Sequence, residues 1–342
     1  DEWTRTTSAA AKAAMTELAL TRKGLTRAPD PAMFHGVKVL KLSRNRLAFL
    51  PEEIGSHMPC LERLEVSCNS LETLPGSVGT LMFLEHLDVS GNVLTHLPSV
   101  SGAQGLESLD AGSNRLVNLP EDLAECAKLT RLVVNGNRHL SALPQDLGLF
   151  QPHLAGVWAR GCGLVELPSG LEAASGLTDL EVGSNRLRSL PPALGGPQQP
   201  LLRVLSAADN ALRRLPLGLE SAVALEIIDV THNALVEVDV LEHAVSLVEL
   251  RASHNDIAAL PRNLAGGPRR LRRALGLPER PTRGGGGGGG GGEGSDVGRG
   301  SAAGKGRGIL NKIGGASGKG ERGEGREGTG TGIGAEQDDD GT

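Results

Sequence analysis

The chain has 342 residues, a formal net charge of −5 at pH 7, and few aromatic residues: four Phe, two Trp and no Tyr. This balance gives no electrostatic reason to expect binding to nucleic acid or to an anionic membrane. The four cysteines form no C-x-x-C pair, which argues against a zinc site or a redox dithiol and favours a reducing, cytoplasmic compartment. No apolar run approaches the roughly 20 residues of a membrane-spanning helix, and no signal peptide is recognisable.

The first predicted element is a divergent repeat. Leu18, Leu20, Leu25 and Pro29 fit the leucine pattern of the segments that follow, while Lys23 stands where those segments carry Asn. A terminal layer has a neighbour on one side only, so an atypical first repeat is expected.

Ten clear repeats of the form L-x-x-L-x-L-x-x-N-x-L-x-x-L-P follow, and we number positions from the first leucine and repeats from 1 to 10. Positions 4 and 6 point the same way from a short strand, so stacked repeats share one core beneath a parallel sheet. The Asn at position 9 can satisfy buried backbone groups where the chain leaves the strand. Cys in that role bonds more weakly, which predicts a softer sixth repeat. The ninth positions are Asn45, Asn69, Asn92, Asn114, Asn137, Cys162, Asn185, Asn210, Asn233 and Asn255.

By this spacing and the recurrent Leu-Pro step, the chain resembles the intracellular leucine-rich-repeat proteins of the Ras-suppressor and Ras-group type. The resemblance covers roughly residues 13–281. It implies an α/β fold: a solenoid curved like a horseshoe, with a parallel β-sheet on the concave face and irregular or short-helical convex segments. It also implies a scaffold or adaptor role in intracellular signalling. The end departs from the family, because Arg280-Pro281 replaces an Asn-Pro-like turn.

The composition divides the chain into four parts. Residues 1–12 are a lead-in and 13–266 form the repeat domain. Residues 267–283 are rich in arginine and are interpreted as a C-terminal cap. Residues 284–342 begin with nine glycines and are predicted to be disordered, because they lack the apolar residues needed to offset the entropy of ordering.

The concave face carries an acidic stretch across repeats 2 to 4. Strands lie ~4.8 Å apart, so six carboxylates share this patch, relieved only by Arg63 and His86. One interpretation is a docking surface for a basic protein, and the other is an ordinary solvated face. A hydrolytic pair formed by Glu65 and Asp88 is disfavoured, because an open sheet offers no pocket. The six are Glu62, Glu85 and Glu107 at position 2, and Glu65, Asp88 and Asp110 at position 5.

Beyond this stretch, Trp158 lies at position 5 of repeat 6, followed by Glu181 in repeat 7. Its neighbours are predicted to be Arg131, Val133 and Arg160, and an exposed Trp among arginines is typical of a binding hot spot. The alternative is a Trp folded onto its neighbours and stacked by an arginine. These residues complete the predicted protein-binding surface.

No catalytic, metal or cofactor site is predicted. His232 and His254 fall at position 8 of adjacent repeats, but two ligands are too few for a closed zinc site. The sequence therefore favours a non-enzymatic protein-interaction module without a small-molecule substrate. The alternative is a fragment of a larger signalling protein, linked to a kinase or GTPase domain outside this chain; the start at Asp1 and the abrupt glycine run keep it open.

Overall fold

The computed structural model describes residues 15–261, and the predictions for 1–12, 267–283 and 284–342 lie outside them. The described residues form one sheet in which every strand pairs in parallel with the next strand along the chain. The strands are Glu17–Ala19 (β1), Val39–Lys41 (β2), Arg63–Glu65 (β3), His86–Asp88 (β4), Ser108–Asp110 (β5), Arg131–Val133 (β6), Gly156–Trp158 (β7), Asp179–Glu181 (β8), Val204–Ser206 (β9), Ile227–Asp229 (β10) and Glu249–Arg251 (β11).

Each strand covers positions 3 to 5 of its repeat, and the register keeps equal positions side by side. Leu64 of β3, for example, pairs with Leu40 on one side and Leu87 on the other. The middle residue of every strand is buried, while its two neighbours face the open side of the sheet except for a few buried ones near β6 and β7. The predicted leucine-rich-repeat solenoid with a parallel sheet is confirmed.

The return segments contain only short helices. The repeated proline begins several of them: Pro75, Pro120, Pro168 and Pro216 precede 3₁₀ helices with φ between −61° and −67°. Proline fixes φ near this value and lacks an N–H, which suits the residue before a helix. The helices are Ile54–His57 (α1) and the 3₁₀ turns Pro31–Met33, Gly76–Thr80, Glu121–Glu125, Ser169–Ala173, Leu217–Ser221 and Asp239–His243. No helix among residues 15–261 is long and apolar enough to cross a membrane.

The core is a continuous stack of leucines. In repeat 2, Leu61, Leu64 and Leu71 are each 0% exposed, and the same positions are buried in the repeats on either side. Burying a leucine side chain stabilises a fold by roughly 1.5–3 kcal/mol. Because each layer buries its leucines only against its neighbours, the stability belongs to the stack and not to single repeats.

The divergent first repeat joins this stack as predicted. Leu18 in β1 is 1% exposed. The backbone amides of Lys23 and Leu25 both donate to Oδ1 of Asn45, at 2.9 and 3.1 Å. The side-chain amide of Asn45, in repeat 1, therefore completes the bend of the preceding divergent repeat, which has no Asn of its own.

Two buried glutamines stabilise the return segments of repeats 5 and 7, which sequence reasoning did not identify. Gln151 accepts from the amide of Gly148 at 2.9 Å and donates to the carbonyl of Leu123 at 2.8 Å. Gln199 bonds the amide of Gly195 and the carbonyl of Leu171 in the same way. A recurring Gln-Pro-x-Leu step, residues 151–154 and 199–202, is the signal that could have revealed them.

Candidate functional site

The parallel register brings the predicted concave residues into one row. Glu65 pairs with Asp88, and Asp88 with Asp110, at the last residue of β3, β4 and β5. The row continues through Val133, Trp158 and Glu181 on β6, β7 and β8. The sequence thus predicted the order of these side chains along the face, because each repeat advances the row by one strand.

The two aspartates in the acidic stretch are partly engaged by their own repeats. A carboxylate oxygen of Asp88 accepts from the amide and the hydroxyl of Ser90, at 3.0 and 2.7 Å. Asp110 accepts from the amide of Gly112 at 3.0 Å. These bonds close the chain where it leaves the strand, so both aspartates have a structural role that the sequence analysis did not assign.

The cations around the stretch differ from the expectation that Arg63 and His86 alone relieve it. Lys38, from repeat 1, donates to Glu62 at 2.6 Å, while Arg63 lies 4.0 Å from Glu65. Lys38 lies outside repeats 2 to 4, so its contact with Glu62 was not predicted. Glu85 is exposed and Glu107 is half-buried, and no ion pair involves either within residues 15–261.

Crowding on this face affects one carboxyl directly. Burial raises the pKa of Asp110 above its ordinary value, and the charge of Asp88 raises it further, while the hydrogen bond from Gly112 opposes the change. A raised pKa means that the negative charge is costly in the folded protein.

Trp158 lies flat along the sheet. A Cβ atom built on Gly156, two residues earlier in β7, would fall 2.0 Å from the indole Cη2 atom, so the ring occupies the space above this glycine. The guanidinium carbon of Arg131 lies 5.3 Å from the ring centroid, a cation–π arrangement. The indole is held between a glycine and an arginine and stays half-buried.

The other residues predicted around the tryptophan differ in how far their side chains are exposed. Val133 is 8% exposed, so it supports the ring more than it offers surface. Arg160 is exposed and Glu181 is half-buried. The indole is thus folded onto its neighbours and stacked by an arginine, the arrangement given above as the alternative, and the half-buried ring leaves part of its surface open among the charged groups around it.

The predicted Asn ladder is present and follows one pattern. Asn137, 0% exposed, accepts from the amide of Leu116 at 3.0 Å and donates to the carbonyls of Val134 and Ala111 at 2.7 and 3.0 Å. Each amide thus joins its own repeat to the preceding one. The same acceptor bond is made by Asn45, Asn69, Asn92, Asn114, Asn185, Asn210, Asn233 and Asn255.

Cys162 keeps only part of this pattern. Its Sγ donates to the carbonyl of Val134 at 3.2 Å and contacts that of Arg160 at 3.9 Å. The amide that an Asn would bind belongs to Leu140, which instead donates to the carbonyl of Asn137 at 3.0 Å. The bend of repeat 5 has one extra residue, since Arg138 and His139 both precede Leu140, and this lets it satisfy its own amide.

The four cysteines are free thiols of two kinds. Cys60 and Cys68 are exposed, whereas Cys126 and Cys162 are buried. Burial raises the pKa of Cys126 to about 11, and the negative charges of Asp122 and Glu125 act in the same direction. Burial also raises the pKa of Cys162. The buried thiols are therefore poor nucleophiles.

The two histidines at position 8 of repeats 9 and 10 meet, as their positions suggested. The rings of His232 and His254 are stacked, with centroids 4.1 Å apart and planes at 16°. Both residues have positive φ, 53° and 57°. Within residues 15–261, no group of three or more His, Cys, Asp or Glu side chains has an arrangement that could hold a metal ion.

Part of the chain is similar in sequence to known leucine-rich-repeat proteins. Residues 35–94 match the family model described as leucine rich repeat. The chain is 34% identical, over 158 residues, to a leucine-rich repeat and calponin homology domain-containing protein of Drosophila melanogaster. It is 30% identical, over 147 residues, to a probable serine/threonine-protein kinase, pats1, of Dictyostelium discoideum. The fold is that of a leucine-rich-repeat solenoid, and these sequence similarities cover part of the chain.

The likeness in fold extends over most of the chain. The solved structure of a leucine-rich-repeat protein of Leptospira interrogans superposes with a TM-score of 0.64, covering 79% of this chain and 72% of that one, at 24% identity. The curated relatives share a smaller part. The matched segments are 38% and 41% of this chain, but 19% of the Drosophila protein and 5% of the Dictyostelium protein.

Proposed function

We propose that this chain is a non-enzymatic scaffold or adaptor that binds a protein partner on its concave face, across repeats 2 to 6. The observation that carries the proposal is the indole of Trp158, spread over Gly156 and flanked by Arg131 at the centre of an open face. Large, rigid aromatic residues such as Trp often contribute most of the binding energy at protein interfaces.

The acidic stretch beside it gives the partner a predicted character. Glu85 and Glu107 form no ion pair among residues 15–261, and burial raises the pKa of Asp110. A basic partner would be attracted over long range by these groups and would then desolvate the tryptophan. We propose the cytoplasm as the compartment, which the unpaired thiols support.

A second candidate function follows from the relatives. One is named as a probable protein kinase, of which the shared segment is 5%. On this alternative, the chain is the recognition part of a larger signalling protein. The Ras-suppressor and Ras-group type, which the Leu-Pro spacing resembles, is compatible with both candidates. A full-length transcript separates them, because a kinase or GTPase motif next to the repeats would be evident.

The concave-face proposal is tested by quantitative affinity capture with matched variants. Trp158→Ala removes the aromatic surface, and Phe83→Ala, whose side chain is 56% exposed before repeat 3 begins, removes an aromatic residue elsewhere. We expect Trp158→Ala to weaken binding of the captured partner by ~2 kcal/mol, about 30-fold, with Phe83→Ala unchanged. Equal binding by wild type and Trp158→Ala, with both variants folded, would overturn the assignment.

A further inference from the structure

A second charged surface lies away from the sheet, at the bends that follow β8 and β9. It consists of Arg186, Arg188, Arg213 and Arg214, which we call the arginine edge. All four side chains are exposed, and they come after Asn185 and Asn210 of the ladder. The edge therefore belongs to repeats 7 and 8 and is separate from the concave row.

The backbone beneath these arginines is fixed by the ladder. The amide of Leu187 donates to Oδ1 of Asn210 at 3.0 Å, and the amide of Ala211 donates to the carbonyl of Leu187 at 2.8 Å. Leu187 and Leu212 are each 0% exposed, so the residues on either side of them point outward. The arginines thus extend from an ordered support and not from a mobile loop.

A cleft lies between two of the four arginines. Arg188 and Arg213 occupy the same position in adjacent repeats, and with Ala211 they line an open cleft of about 410 Å³. Ala211 has the position that Arg186 fills in the repeat before. Because alanine has only a methyl group, the space between the two arginines stays open for a ligand.

The charge of the edge is not balanced within the described part of the chain. Arg203 and Arg251 have carboxylate partners at 2.9 and 2.7 Å, but none of the four arginines of the edge forms such a pair among residues 15–261. Guanidinium groups bind carboxylates through two parallel hydrogen bonds. Two of them across a cleft, one repeat apart, suit anionic groups that are spaced along an extended chain.

The borders of the edge favour a short peptide over a nucleic acid. Glu166 in repeat 6 and Glu237 in repeat 9 are exposed at position 13, which is the position of Arg214. The favourable surface is therefore about two repeats wide, roughly 10 Å. The four arginines and Ala211 include no aromatic ring on which a base could stack.

We propose that the arginine edge is a second docking site, for a short segment of a partner protein that carries several Asp or Glu residues. The carboxylates of that segment bind Arg188 and Arg213 across the cleft above Ala211, with Arg186 and Arg214 at its sides. The concave face and the arginine edge then select opposite charges, so a partner or a pair of partners binds at both.

The test uses the full chain and a fluorescein-labelled octaglutamate peptide, followed by fluorescence anisotropy in low salt. The charge-reversal variant is Arg188→Glu with Arg213→Glu. The matched control is Arg115→Glu with Arg138→Glu, two exposed arginines on adjacent repeats that give the same change in net charge. We expect the first variant to weaken peptide binding at least about tenfold and the control less than about twofold. Because charge reversal can impair folding, Arg188→Gln with Arg213→Gln is measured beside it, and thermal melting verifies that all variants are folded.

Three results would overturn the proposal. The first is equal weakening by the variant and the control, which means general charge attraction. The second is unchanged binding by the folded glutamine variant. The third is tighter binding of a labelled oligothymidylate than of the peptide through the same two arginines, which would make a nucleic acid the occupant.

Discussion

Repeats 2 to 4 and repeats 5 and 6 differ in how closely they follow the rules of the solenoid. In the former, every bend has its Asn, and the aspartates at position 5 bond locally to Ser90 and Gly112. The bend of repeat 5 is one residue longer, and in repeat 6 Cys162 replaces Asn and Gly156 lies within β7. The departures come together where Trp158 lies. Departures from local rules concentrate at functional sites, so this grouping supports the position of the proposed binding centre.

The largest loss of stability should follow from substitution of a ladder Asn in one of the regular repeats. Asn114→Ala, in repeat 4, removes four buried hydrogen bonds and leaves their partners unsatisfied, so we expect unfolding to require ~3 kcal/mol less. Cys162→Ala removes one bond of 3.2 Å and should cost ~1 kcal/mol. Urea denaturation measures both. Equal losses would show that the cysteine bend is as strongly bonded as the others, and the comparison would fail.

A smaller loss of stability should follow from substitution of Gly156, the residue beneath the Trp158 ring. Gly156→Ala places a methyl group where the indole lies, so the ring must leave its present position over the glycine and beside Arg131. We expect a red shift of tryptophan emission and a loss of ~1–2 kcal/mol, since overpacking is destabilising. The second tryptophan is removed by Trp3→Phe in all samples.

Gly76→Ala is the matched control for this substitution, because nothing lies within 4 Å of the added methyl group. Its emission spectrum should equal that of the parent. A Gly156→Ala protein with unshifted emission would mean that the indole does not rest on the glycine.

The Asn ladder was more predictable from the sequence than the contacts on the concave face. The strand positions and the Asn ladder were predictable, because each repeat repeats one local pattern. The position of Trp158 was left between two alternatives, since the choice depends on the missing side chain of Gly156 and on how Arg131 lies against the ring. The pairing of Lys38 with Glu62 was missed for a related reason: it joins two repeats through long side chains whose direction no local pattern fixes.

The smallest effect concerns the acidic stretch. The folded-state pKa of Asp110 is raised, so the folded protein binds its proton more tightly than the unfolded chain does. Stability from this group is therefore lost as pH rises from its ordinary value through the raised one. Asp110→Asn keeps the acceptor for Gly112 and should stabilise the protein at neutral pH by less than about 1 kcal/mol. Thermal melting between pH 3 and 7 measures the gain in stability. A lower melting temperature of Asp110→Asn at neutral pH would show that the charge of Asp110 does not destabilise the fold.

The central claim is that a protein partner lies on the concave face near Trp158, and site-specific photo-crosslinking tests it most directly. Glu181→p-benzoylphenylalanine places the crosslinker beside the tryptophan, on the adjacent strand. Phe150→p-benzoylphenylalanine places it on an exposed residue of a return segment. We predict that the captured partner crosslinks at position 181 and not at 150. Crosslinking at 150 alone, with both variants folded, would contradict it.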